Sequence, residues 1–208
     1  VHWQRRSRAG GDEVRPFLLV SNGHDGKNSV QIMTCYHRVC CNNTLSMALG
    51  EGGVVHFWHA GDLVQNIETA KEKLNLMVAG IDDNLALFNA MRERVLTAEE
   101  RDGFVAALTD YKAPVSQEGE TGDGEKLERH EVMARAMGMK LNALMETGLG
   151  SDLPGVRDSL WGAYNAAIEL CDYHLGARAK DRAGYLMWGA GAEFKKQALE
   201  EAKVLLAK

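Results

Sequence analysis

The pattern of apolar positions along this chain changes period near residue 62. Ahead of that point, Pro16-Phe17-Leu18-Leu19-Val20 predicts a strand, Asn22-Gly23-His24-Asp25-Gly26 supplies turn residues, and Ser29-Val30-Gln31-Ile32-Met33-Thr34-Cys35-Tyr36 predicts the returning strand of a hairpin with a long polar tip. Beyond Arg38, the stretch from Asn42 to Leu49 begins with helix-start residues and stops at Gly50, which predicts a short helix. Val54-Val55-His56-Phe57-Trp58-His59 is rich in β-formers and predicts a third strand.

From Asp62 onward, Leu63, Ile67, Ala70, Leu74, Met77, Ile81, Leu85, Phe88 and Val95 follow steps of three and four, as in one long amphipathic helix or two. Unbroken to Leu96 it would span about 50 Å, so a bend near Gly80 is expected. Thr97-Ala98-Glu99-Glu100 has the pattern of a capping box, opening a helix through Leu108. Residues 112–125 carry Pro114, three glycines and four acids with almost no apolar anchor, which predicts a mobile surface loop or a domain boundary. Helices are expected at about 126–146, 155–175 and 190–207. The fold class expected is α+β: a small antiparallel sheet, hairpin plus third strand, packed with a mainly helical C-terminal two-thirds. Residues 1–13 read as a basic arm or frayed strand, and residues 14–208 as a single α+β domain.

Composition narrows this. The 208 residues are 45% apolar, enough to fill a core without metals or disulfides. No run of about 18 apolar residues occurs, and the opening Val1-His2-Trp3-Gln4-Arg5-Arg6-Ser7-Arg8 lacks the apolar stretch of a secretion signal, so no membrane partner and a cytoplasmic location are expected. Cys35, Cys40, Cys41 and Cys171 have neither disulfide-framework nor Cys-x-x-Cys spacing and read as buried, inert thiols. The net charge of −5 excludes a protein that coats nucleic acid by bulk electrostatics, although Arg5, Arg6, Arg8 and Arg15 make the amino end locally basic.

Several residues could carry chemistry. His24 and Asp25 place a base and an acid on the hairpin tip, where Asn, Asp and Gly also occur for backbone reasons alone. Arg38, ahead of the expected helix start at Asn42-Asn43-Thr44, suits an anion held by backbone N–H groups, with Asn43 and Thr44 beside it; equally, Arg38 could pair with a carboxylate of the fold. His56 and His59, three apart in a strand, point to opposite faces and argue against a shared metal. His130 and the Met133, Met137, Met145 stripe read as core packing. Most informative is Trp161 to His174, where Trp161, Asn165, Glu169 and Asp172 recur along one helical face while Tyr164, Ala167, Ile168, Cys171 and Leu175 can form the packed side. The Asn-Glu-Asp row is then a solvated face or a deliberate polar site, with Glu169 and Asp172 as candidate ligands for Mg²⁺ or Mn²⁺ or as a general acid and base.

Four of these stretches, in this order, resemble one family, the phage and plasmid-like proteins grouped as domain of unknown function 932. Asn22 to Gly26 looks like its Asn-x-His-Asp-Gly turn. Arg38-Val39-Cys40-Cys41-Asn42-Asn43-Thr44-Leu45 is similar to its Arg-hydrophobic-hydrophobic-Cys-x-Asn-Thr-Leu motif. Trp161 to Asp172 resembles its Trp-Gly-x-x-Asn-Ala-x-x-Glu-x-x-Asp helix, and Trp188-Gly189-Ala190-Gly191 its following Trp-containing turn. The family usually carries a further amino-terminal segment that is missing or replaced here, and has His directly after the helix Asp where this chain has Tyr173 and then His174.

The resemblance implies a mobile-element context and no mechanism. The leading expectation is a phage or plasmid accessory protein associated with DNA, binding or annealing single strands through Arg38, Trp3, Arg5 and Arg6 of the arm, and the hairpin; Trp3 could stack a base. One alternative is a metal-dependent hydrolase or nuclease, with His24, Asp25, Glu169 and Asp172 as ligands or acid/base groups, Arg38 on a phosphate and a divalent metal as cofactor. Another is a non-catalytic interaction protein whose polar row braces the fold. Single-stranded DNA is the partner expected under the first reading, and self-association into a homo-oligomer is compatible with each.

Overall fold

A computed structural model describes residues 7–9, 12–21, 30–40, 44–46, 54–57, 63–109, 123–176 and 179–208. The architecture is α+β and divides into two compact units, Val1–Asn89 and Ala90–Lys208. Among the described residues no helix is long and apolar enough to cross a membrane.

The first unit is built on the hairpin. Strands β1 (Ser7–Ala9), β2 (Asp12–Ser21), β3 (Val30–Arg38), β4 (Thr44–Ser46) and β5 (Val54–Phe57) form an antiparallel sheet in which β1 and β3 flank β2, while β4 and β5 both pair with β3. The hairpin register runs from Val14 opposite Arg38 to Ser21 opposite Gln31. Because side chains alternate across a strand, Val14 and Pro16 share one face with Tyr36 and Arg38, and all four are buried. Helix α1 (Leu63–Glu93) lies against that face: the Tyr36 ring meets Phe88 edge-on at 5.4 Å, and Asn84 Nδ2 donates to the Tyr36 hydroxyl at 2.8 Å. The helix continues through Gly80, where an added Cβ would meet nothing within 4 Å, so this glycine serves no close approach.

Two expectations need correction here. Among the described residues sheet pairing reaches back to Ser7, and Asp12 is fully buried, so packed structure is present ahead of Val14. The helix expected over Asn42–Leu49 is absent at Thr44–Ser46, which pairs as a strand with Cys35–His37. The edge of β3 offers a ladder of backbone partners that a short helix, marginal without tertiary support, does not outweigh.

The second unit is helical, with α2 (Ala98–Thr109), α3 (Asp123–Thr147), α4 (Leu160–Glu169), α5 (Arg182–Met187) and α6 (Ala190–Leu206); α4 runs directly into a π-helical turn, Leu170–His174. The capping box before α2 forms as expected: Thr97 N donates to Glu100 Oε2 at 3.0 Å, and Glu100 N donates back to Thr97 Oγ1 at 3.2 Å. The Thr97 N–H, with the Arg94 guanidinium beside it, holds the Glu100 carboxyl below its ordinary range. Helix α4 is the centre, packed by α3 on one side and α6 on another. Ser159 caps it, accepting from Gly162 N at 3.1 Å, after Asp158 turns the chain with φ of 63°. Of the methionine stripe on α3, Met145 is buried, whereas Met133 and His130 are exposed, so the core reading holds only for the helix's C-terminal half. Likewise Cys171 is buried but Cys40 is exposed. The loop expected over 112–125 lies mostly outside the described residues, with Asp123 already in α3.

Candidate functional site

The row along α4 is not a solvated face. Trp161 is fully buried, and Asn165, Glu169 and Asp172 are only 2%, 7% and 9% exposed. A helix packed on both sides buries its whole circumference, so its polar residues must find partners inside. Asn165 Nδ2 donates to Trp161 O at 2.9 Å, one turn back. Over the Trp161 ring lies the Arg92 guanidinium, 4.7 Å from the centroid, a cation–π contact in a dry setting. Glu169 Oε2 accepts from Leu149 N at 2.9 Å and thereby ties α4 to the chain leaving α3. A Cβ on Gly148 would stand 2.8 Å from that oxygen, so the glycine leaves room for the carboxylate.

Asp172 sits in the π turn, closed by a bond from Leu175 N to Leu170 O at 2.9 Å, five residues back. Its partner is Lys195 of α6, with Nζ 2.5 Å from Oδ1 and neither side chain appreciably exposed. Arg182 donates to the Asp172 carbonyl and, at 2.8 Å, to Leu175 O, closing the end of the turn. Burial pushes the Cys171 thiol up to about 12, partly offset by Lys195, and pushes the Tyr164 phenol well above its usual range, with the charge of Asp172 adding to the effect. Lys195 was missed by the sequence reading, although a signal was present: it stands in the apolar stripe Gly191, Phe194, Ala198, Leu199 and Ala202. A lysine buried in such a stripe is costly unless an acid answers its charge.

Arg38 belongs to the first unit and is 1% exposed. Its Nε donates to both oxygens of Asp12, at 2.9 and 3.0 Å. Of the two readings open for Arg38, pairing with a carboxylate of the fold is the one realised; of the helix start it was to face, Thr44 lies in β4 opposite His37, and Asn42 and Asn43 lie outside the described residues. Asp12 carried no periodic signal in the polar stretch before Val14. The polar row and Arg38 thus lie in separate units, each charge answered within its own. Among the described residues no three His, Cys, Asp or Glu side chains come together to hold a metal ion.

The other face of the hairpin is more open. Register places Arg15 opposite His37 and Phe17 opposite Cys35, so all four share a face. Phe17 is 36% exposed and meets the His37 ring at 6.0 Å, tilted by 62°. Arg15 lies next along the strand, with its Nε held by Glu13 Oε1 at 2.8 Å. Phe17 was read only as a strand former; the even spacing Arg15, Phe17, Leu19 was its signal. Trp3, Arg5, Arg6, His24, Asp25, Asn43 and His59 lie outside the described residues, and His56 is placed only by its strand register opposite Gln31.

Comparison with known proteins adds one finding. The family model described as Domain of unknown function (DUF932) matches residues 2–187, from before β1 to the end of α5. No curated protein and no solved structure matches the chain. A match that takes in the whole sheet, α1 and the Trp161 helix makes this chain a member of the family of domain of unknown function 932.

Proposed function

We propose that this chain is a phage or plasmid accessory protein that binds single-stranded DNA in the cytoplasm, through the open face of β2 and β3. The observation that carries this reading is the Phe17 and His37 ring pair on that face, with Arg15 beside it. Sheet surfaces that bind single strands work in this way: exposed rings stack unpaired bases and a neighbouring guanidinium meets the backbone, without sequence readout. The net charge of −5 fits stacking better than bulk attraction. The engagement of Glu169 by the Leu149 amide, and of Asp172 by Lys195, favours this reading over a metal-dependent hydrolase.

The test is fluorescence anisotropy with a labelled oligothymidine, run beside a duplex, across salt concentrations and with a chelator. Wild type should bind the single strand more tightly than the duplex, unaffected by chelator. Few phosphate contacts imply a shallow salt slope, about −0.7 in log K per contact. Phe17→Ala should weaken binding roughly fivefold to a hundredfold, since one stacked base contributes about 1–3 kcal/mol. Failure of wild type to bind, or equal binding by Phe17→Ala, would sink the reading; cleavage of the oligonucleotide on adding Mn²⁺ would point to the hydrolase.

A further inference from the structure

Between the π turn and α6 the chain forms α5, six residues of which none is buried. An element so small and only half-buried gains little from hydrophobic burial, so specific contacts help to hold it. Arg182 grips two carbonyls at the end of the π turn, those of Asp172 and Leu175. The Tyr185 ring presses on two glycines: a Cβ at Gly176 or Gly191 would fall 2.4 or 2.8 Å from its Cε1. Asp181 caps the short helix, accepting from Gly184 N at 2.8 Å. Directly against these contacts lie buried polar groups of the unit's interior. Cys171 Sγ lies 3.3 Å from the carbonyl of Gly191, the glycine Tyr185 covers, and the Asp172 and Lys195 pair adjoins it, all three side chains buried.

We propose that α5 is a strap that opens as a local unit while α4 and α6 remain folded, and that its opening admits solvent and small reagents to the Cys171, Asp172 and Lys195 cluster. The physical basis is the contrast in attachment. Helices α4 and α6 pack on each other and bury Ile168, Phe194 and Ala198, whereas α5, which also packs on α6, buries no residue; the Arg182 fork, the Tyr185 ring and the Asp181 cap are among its attachments. Segments with few buried apolar contacts open at lower free energy than the core they cover. Opening releases Arg182 and Tyr185 and leaves the α4–α6 packing in place.

Serine at Cys35, Cys40 and Cys41 in the full chain makes Cys171 the single thiol. Its labelling by a small disulfide reagent is then followed in native buffer and rising urea, beside the urea unfolding curve. Local opening predicts labelling that depends weakly on urea at low concentration and steepens only near the unfolding midpoint. Arg182→Ala and, independently, Tyr185→Ala should each speed labelling about tenfold to a hundredfold, as expected for loss of charge-assisted hydrogen bonds or an equivalent contact, while the midpoint moves little. Labelling that follows global unfolding at every urea concentration in the parent and both variants overturns the proposal. So does an acceleration matched by an equal loss of global stability.

Discussion

Lys195 and Asp172 meet inside the helical unit, and Arg38 and Asp12 inside the sheet unit, each pair nearly sealed from water. Removing one member of such a pair leaves an uncompensated charge in a dry site, which costs about 3–5 kcal/mol, whereas replacing both by apolar groups of similar size is often neutral. Lys195→Ala should therefore lower the urea unfolding free energy by about 3–5 kcal/mol, and Lys195→Met combined with Asp172→Leu should restore most of that loss. Additive losses in the double variant would show that the pair does not act as a unit. The acid of this pair was legible from its place in the Trp161 row, and its lysine could have been read from the α6 stripe. Asp12 could not, because a lone acid in a polar stretch has no periodicity to betray burial.

At the scale of elements, local chemistry and tertiary support divide the outcomes. The box at Thr97 and Glu100 is satisfied by residues three apart, so it was readable without knowing the fold. Thr97→Ala removes one side of it and should cost about 0.5–2 kcal/mol, seen as a lower melting temperature without change of secondary structure. Thr44–Ser46 went the other way: its helix signals were local, and its partner was Cys35–His37, supplied by a neighbouring strand. The π turn was equally invisible, since the four-residue spacing of Trp161, Asn165 and Glu169 carries straight into it. What marks it is the bond from Leu175 to Leu170 and the grip of Arg182 on the Asp172 carbonyl, both decided by the packing around them.

For the whole molecule, the buried acids of weak type govern behaviour at high pH. Cys171, with an ordinary value of 9.0, is pushed up to about 12 in the fold, chiefly by burial, and Tyr164 is raised as well for the same reason. Below pH 9 both states hold the thiol proton, and the full stabilisation is present. As pH rises from 9 toward 12, the unfolded chain releases the proton and the folded one does not, so stability falls. Urea unfolding free energy should decline across this range, and Cys171→Ala should show a shallower decline by one proton's contribution. Identical slopes in the two proteins would mean that the thiol is not shielded as described.

By itself the sequence determined the class of the chain: the change from strand-like to helical period near residue 62, the hairpin, the capping box and the tertiary importance of the Trp161 row all follow from spacing, which any copy of this chain carries before it folds. Only the tertiary structure decided what the polar residues do. Whether Arg38, Glu169 and Asp172 face a ligand or one another depends on which groups arrive from elsewhere, and those arrivals, Asp12, the Leu149 amide and Lys195, come from 20 or more residues away in sequence. The open face at Phe17 is likewise a property of the assembled sheet, because a strand's exposed side is defined by what packs on the other, here Phe88 and Asn84 of α1 against Tyr36.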